Sequence, residues 1–100
     1  MKEMDCVEVI VEKEKYAKQG VHKGMQGWIC DSRNINSSWL VNFPQCGEKQ
    51  DIATIAVKEK DLVLLPNGMD ASTNEEIKSQ FDVSNEMATH SPDNLSGYLV

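Results

Sequence analysis

Cysteine and histidine are the side chains of this sequence that could act as nucleophiles or hold a soft metal. The chain has three cysteines, Cys6, Cys30 and Cys46, without C-x-x-C spacing, and two distant histidines, His22 and His90. A nucleophilic thiol needs a base beside it and a third group that orients the base, and neighbouring residues suggest no such set for His22 and Cys30. The pattern favours free thiols in a reducing compartment over a disulfide or a metal site. We therefore predict a non-enzymatic protein without a cofactor.

Charge is divided unevenly along the chain. Residues 1–65 contain nine Lys or Arg and ten Asp or Glu, whereas residues 66–100 contain one Lys and six acids. Contacts to phosphates require a basic surface, so this balance argues against nucleic acid as a ligand and is compatible with a basic protein partner.

Nothing in the sequence resembles a membrane span or a signal peptide. No apolar run approaches the roughly 20 residues that cross a bilayer. The first five residues include two acids, where a signal peptide has a basic start. The sequence therefore predicts a cytoplasmic protein that is not attached to a membrane.

Five short segments have the composition of strands, and the side chains of the first and third alternate between two faces, as in half-buried strands. They are residues 5–14, 27–30, 38–43, 51–57 and 62–65. Alternation points Ile29 and Trp39 inward, and Trp28 and Leu40 outward. Several short strands without a long helix between them predict an all-β fold, a small antiparallel barrel or sandwich of five strands.

The connections between the strands are also predictable. Gly24 supplies a tight turn, and Gly27, inside a strand pattern, indicates a bend or a close approach of backbones. Residues 13–20 predict a loop that ends at Gly20, with Tyr16 folded over one end of the barrel. Residues 58–61 have the length of a single 3₁₀ turn.

The order of these segments resembles that of bacterial Src-homology-3-like barrels. The matching motifs are Val7-x-Val9-x-Val11, Gly24-x-x-Gly27-x-Ile29, Trp39-x-Val41-x-Phe43 and Ala56-Val57-x-x-x-Asp61-Leu62-x-x-Leu65. The glycine motif is similar to the KOW motif of ribosomal and transcription-factor domains, and the layout of residues 5–65 is similar to small bacterial barrel proteins of unknown function. A KOW-type factor would contact RNA or the transcription and translation machinery, but loop 31–37 has one Arg and one Asp where such domains carry basic loops.

The remaining chain differs in composition, which predicts a barrel over residues 1–66 and an acidic tail over 67–100. Thr73 and Glu76 have the spacing of a capping box, which predicts a short helix near 74–81 with Thr73 as its N-cap. Ile77 and Phe81 then share one face of this helix.

Three groups of residues are candidates for partner binding. Trp28, beside Ile10, Cys30 and Leu40, is predicted to form an apolar patch on the outer sheet face; alternatively Ile77, Phe81 or Tyr98 of the tail covers it. A second group, in the polar loop, comprises Asp31, Arg33, Asn34 and Asn36. A third comprises the acidic residues Asp70, Glu75 and Glu76, which either cap a basic surface or simply solvate the tail.

The leading hypothesis is a protein-binding module, most specifically an immunity or antitoxin-like protein that neutralises a toxin, such as a basic nuclease, by direct binding. One alternative is the KOW-type accessory factor. Another is a sensor that takes a small molecule or peptide in the barrel mouth.

Overall fold

Five antiparallel strands curl into a half-barrel, and a helix follows them, so the predicted all-β class is confirmed. The computed structural model describes residues 1–45 and 50–90, with side chains to residue 81; the predictions for Cys46 and Tyr98 and for the side chain of His90 lie outside these residues. The elements are β1 Cys6–Val9, α1 Glu14–Ala17, β2 Gln26–Ile29, β3 Ser38–Phe43, β4 Ala53–Lys58, a 3₁₀ turn Glu59–Asp61, β5 Leu62–Leu64 and α2 Ala71–His90. The order across the sheet is β4-β3-β2-β1-β5.

The concave face of the sheet carries the core. The alternation predicted for β1, β2 and β3 is confirmed, because every second side chain of these strands is buried. The buried apolar residues are Val7, Val9, Tyr16, Val21, Met25, Ile29, Trp39, Val41, Phe43, Val57 and Leu62. The other face of the same strands therefore carries the candidate binding residues.

Both glycines of the β1–β2 segment have the predicted structural roles. Gly24 adopts a φ of +92°, which favours glycine. A Cβ atom on Gly27 would collide with the carbonyl oxygen of Asn42 and with Val41. Strands β2 and β3 can approach this closely only because Gly27 has no side chain.

The segment predicted as a loop, 13–20, contains the single helical turn α1. Its Tyr16 is buried beneath one end of the sheet. The Tyr16 hydroxyl donates to Asp61 Oδ2 over 2.6 Å and accepts the backbone N–H of Lys58 over 3.1 Å. Tyr16 thus ties the first loop to the predicted 3₁₀ turn.

Helix α2 begins at Ala71, and Thr73 lies inside its first turn, so the predicted Thr73 cap is wrong. Asp70 takes that role: its Oδ1 accepts the backbone N–H of Ser72 over 2.9 Å and the Ser72 hydroxyl over 2.6 Å. The backbone N–H of Asp70 also donates to Gln26 Oε1 over 2.7 Å, so a contact with the sheet fixes where the helix starts.

Asn74 joins α2 to the sheet at the point where β2 and β3 separate. Its side chain is fully buried, and its Oδ1 accepts the backbone N–H of Gln26 over 2.6 Å. Its Nδ2 donates to the carbonyl of Gln26 over 2.6 Å and to that of Pro44 over 2.9 Å. The side-chain amide thus replaces the peptide group that a neighbouring strand would supply.

Candidate functional site

The outer face of the sheet has a depression of about 420 Å³ at the end where β3 begins and β4 ends. We call it the Leu40 surface; its lining residues are Asp31, Arg33, Ile35, Asn36, Ser38, Trp39, Leu40, Ala56 and Lys58. Ile35 is 55% exposed and Leu40 37% exposed, so the depression has an apolar floor that solvent reaches. Four of the predicted binding residues, Asp31, Arg33, Asn36 and Leu40, meet here.

A tight hairpin holds Ile35 and Asn36 in place. The backbone groups of Ile35 and Ser38 exchange two hydrogen bonds of 3.0 Å. Asn36 and Ser37 between them have φ values of +54° and +62°, as in the turns that suit the twist of two-residue hairpins. Ile35 therefore projects from an ordered turn, and its exposure is a property of the fold.

An ion pair orders the charged rim of the Leu40 surface. Arg33 donates from Nε to Asp31 Oδ1 over 3.0 Å and from Nη2 to Asp31 Oδ2 over 2.7 Å. These side-chain bonds, together with one from the Arg33 backbone N–H, lower the pKa of Asp31 to about 2. The carboxylate therefore stays charged at neutral pH and orients the guanidinium beside the apolar floor.

Glu59 stabilises the side of the depression formed by Trp39 and the polar loop. Its Oε1 accepts Trp39 Nε1 over 2.7 Å and Asn34 Nδ2 over 3.3 Å. Lys58 Nζ donates to the carbonyl oxygen of Asn36 over 2.9 Å. Asn34, predicted to contact a partner, thus has a partner within the chain, whereas the lysine places a cation at the rim.

Trp28 lies on the outer face, as predicted, but it is half-buried. Its Nε1 donates to Asn42 Oδ1 over 3.1 Å, so its polar atom is already satisfied. The register sets Cys6 opposite Trp28. Ile10 lies four residues beyond Cys6 along the chain, and at the rise of a strand this places it roughly 13 Å from Cys6. The predicted patch is therefore wrong in including Ile10.

The acidic residues of the tail lie at the other end of the sheet. Asp70 caps α2, so its carboxylate is already used within the fold. Glu75 and Glu76 line a separate depression of about 400 Å³ together with Ser72 and Ser79. The structure thus places Glu75 and Glu76 on a different surface from Asp31, Arg33, Asn36 and Leu40.

The described part of the tail packs away from the Leu40 surface. Ile77 lies against Gly24, with its Cδ1 3.1 Å from the position a Cβ would take there, and it packs on the core. Phe81 stacks on His22, with ring centroids 3.5 Å apart and planes 5° from parallel. These two side chains cover the turn between β1 and β2, not the neighbourhood of Leu40.

His22 and Cys30 have different neighbours, so they do not form a nucleophile and base. His22 Nδ1 lies 2.7 Å from Glu12 Oε2, and the Cys30 thiol donates to the Leu40 carbonyl over 3.6 Å. Burial is the main cause that raises the pKa of the Cys30 thiol, which favours the less nucleophilic form. Among the described residues, no three His, Cys, Asp or Glu side chains are grouped so that they could hold a metal ion.

Sequence reasoning missed a buried charged network beneath the sheet. Asp61 is 5% exposed and accepts Lys13 Nζ over 2.7 Å as well as the Tyr16 hydroxyl. Burial raises the pKa of Asp61, but these two hydrogen bonds outweigh it and leave the pKa below its usual value. Burial first, and then the Asp61 carboxylate, raise the pKa of Tyr16 to about 12. All three polar groups are paired, so the network is structural.

Comparison with known proteins gives no relative: no family model, curated protein or solved structure matches this chain. Within residues 1–45 and 50–90, no helix combines the length and the apolar character needed to cross a membrane.

Proposed function

We propose that this chain is a non-enzymatic protein-binding module, most specifically an immunity or antitoxin-like protein, and that its partner binds the Leu40 surface. The observation that carries the proposal is the solvent-reachable apolar floor formed by Ile35, Leu40 and Ala56 inside an ordered polar rim. Exposed apolar side chains within a ring of polar groups are typical of the centres of protein interfaces.

The rigidity of this surface supports the same proposal. The Ile35–Ser38 hairpin, the Asp31–Arg33 pair and the bonds to Glu59 hold its walls before any partner arrives. Binding then costs little conformational entropy, which favours the tight complexes that neutralising a toxin requires. The net charge of −6 favours the approach of a basic toxin through long-range attraction.

Affinity capture with the full chain as bait tests this proposal. Three baits are compared in nuclease-treated and untreated lysates: the wild type, Leu40→Asp, and the control Val63→Asp. Val63 is 44% exposed on the opposite edge strand, so the control introduces the same charge at similar exposure. We expect one protein to be retained by the wild type and the control but lost with Leu40→Asp, whether or not nuclease is present.

Toxin neutralisation is tested with the captured protein itself. Its expression alone should arrest growth, and co-expression of the wild type, but not of Leu40→Asp, should restore growth. Recovery of only nucleic acid would refute the proposal in favour of a KOW-type factor. A captured protein that does not affect growth would refute the immunity role and leave only the binding module.

A further inference from the structure

The two edges of the described sheet differ in how they are protected. Strand β5 at one edge has three residues and is followed closely by Pro66. Strand β4 at the other edge has six residues, no proline and a single charge, on Lys58. Long edge strands without proline or inward charge readily pair with another strand. The edge of β4 is therefore the edge that can pair with another strand.

Hydrogen bonding within the sheet shows which backbone groups of β4 face outward. The N–H of Cys30 donates to the carbonyl of Leu40 over 3.0 Å, so the peptide groups of Leu40 face β2. In an antiparallel ladder the peptide groups of successive residues point to opposite sides of the strand, so the peptide groups of Trp39 face β4. Val57 is the residue opposite Trp39, so its N–H and carbonyl face β3. The N–H and carbonyl of the adjacent Ala56 therefore point away from the sheet.

The same alternation turns the backbone of Thr54 and Lys58 outward with that of Ala56. The hydroxyl of Tyr16 already accepts the Lys58 N–H over 3.1 Å. Strand β4 is the last strand in the order of the sheet, so within residues 1–45 and 50–90 no strand pairs with the outward groups of Thr54 and Ala56. Thr54 and Ala56 thus present two outward donors and two outward acceptors.

We propose that β4 pairs antiparallel with β4 of a second copy of this chain, about a two-fold axis at Ile55. Thr54 and Ala56 of each copy then exchange hydrogen bonds with Ala56 and Thr54 of the other, so all the outward groups of these residues are satisfied. The two sheets become continuous, and the two Ile55 side chains meet across the axis.

Pairings of the two β4 strands that are shifted by two residues satisfy fewer backbone hydrogen-bonding groups. A shift by two residues in one direction sets Thr54 opposite Lys58, whose N–H is bonded to Tyr16. A shift in the other direction sets Ala56 opposite Ile52, whose N–H donates to the Phe43 carbonyl over 2.7 Å. The register centred on Ile55 avoids both losses.

Charge makes this edge complementary to itself. Lys58 at one end of β4 lines the Leu40 surface on the outer face. Asp51, just before the other end, lies on the same face, where its Oδ2 accepts Asn42 Nδ2 over 2.9 Å. Antiparallel pairing brings Lys58 of each copy beside Asp51 of the other, so two ion pairs flank the axis. A partner of uniform charge would satisfy only one end of the edge.

Sedimentation equilibrium of the full chain from about 1 to about 500 μM tests the proposal. We expect a mass twice the 11.2 kDa of the chain. Ala56→Pro removes one outward N–H and leaves the bonds to β3, so it should be monomeric. Ala56→Val keeps the N–H and should remain dimeric. Circular dichroism confirms that both variants are folded.

Exchanging the charges of Lys58 and Asp51 provides a second test of the dimer that does not depend on whether Ala56→Pro unfolds the strand. Lys58→Asp and Asp51→Lys should each weaken the dimer by about tenfold or more, and the double variant should restore it. A wild type that stays monomeric throughout the range, or a double variant no tighter than either single variant, would overturn the proposal. The dimer needs no other protein, so its failure leaves the function proposed above standing.

Discussion

Replacing Asn74 by alanine tests how the helix is attached to the sheet. The change leaves the N–H and carbonyl of Gln26 and the carbonyl of Pro44 without the partners that Asn74 provides at 2.6, 2.6 and 2.9 Å. A buried polar group that loses its partner costs about 1–3 kcal/mol, and water can reach some of these groups once the side chain is gone. We therefore expect the free energy of unfolding to fall by about 3–5 kcal/mol, a large part of the stability of a small domain.

Urea unfolding followed by tryptophan fluorescence measures this loss, and hydrogen exchange at the Gln26 amide locates it. Asn67→Ala is the matched control, because Asn67 is exposed and should change stability by less than about 0.5 kcal/mol. Asn74→Asp adds a finer test: it keeps an acceptor for the Gln26 N–H but turns an oxygen toward two carbonyls, so at pH 7 it should be at least as damaging as alanine. An alanine variant within about 0.5 kcal/mol of the wild type, with Gln26 still protected, would refute the role given to Asn74.

Four further predictions concern the backbone and the buried network. Ser37→Gly should raise the free energy of unfolding by about 0.5–1 kcal/mol, because φ there is +62°; an unchanged urea midpoint would contradict this. Gly27→Ala should lower it by about 2–3 kcal/mol, because the new Cβ meets the Asn42 carbonyl, and a loss below about 0.5 kcal/mol would count against it. The pKa of Tyr16, about 12 when folded against about 10 when unfolded, gives stability that is complete below pH 10 and lost as the pH rises through 12; thermal melts should show this slope in the wild type and not in Tyr16→Phe. The lowered pKa of Asp61 affects stability in the opposite direction: its contribution to stability is present above about pH 4 and is lost as the pH falls further. Asp61→Asn should therefore make the melting temperature less dependent on pH below about pH 4.

The strands were predictable because each obeys a local rule. Alternation placed Ile29 and Trp39 inward and Leu40 outward, and these assignments are confirmed. The start of α2 was not predictable, because Asp70 and Thr73 are both good N-caps. The choice between them is made by Gln26, distant in sequence, which accepts the Asp70 N–H.

The candidate site was predictable only in part, for a similar reason. Arg33 and Leu40 could be found from their positions in a polar loop and on an outward strand face. Ala56 and Lys58 complete the Leu40 surface only through the register of β3 with β4, which sequence patterns do not fix. The misplacement of Ile10 has the same origin in the register of β1 with β2.

The most direct test of the central claim is the dissociation constant of the captured protein for three forms of the full chain, measured by isothermal titration calorimetry. If the Leu40 surface is the binding site, Leu40→Asp should weaken binding by at least about thirtyfold, because it places a charge at the apolar centre of an interface. Val63→Asp should bind as the wild type does. Equal affinity of the wild type and Leu40→Asp, with both chains folded, would contradict the claim.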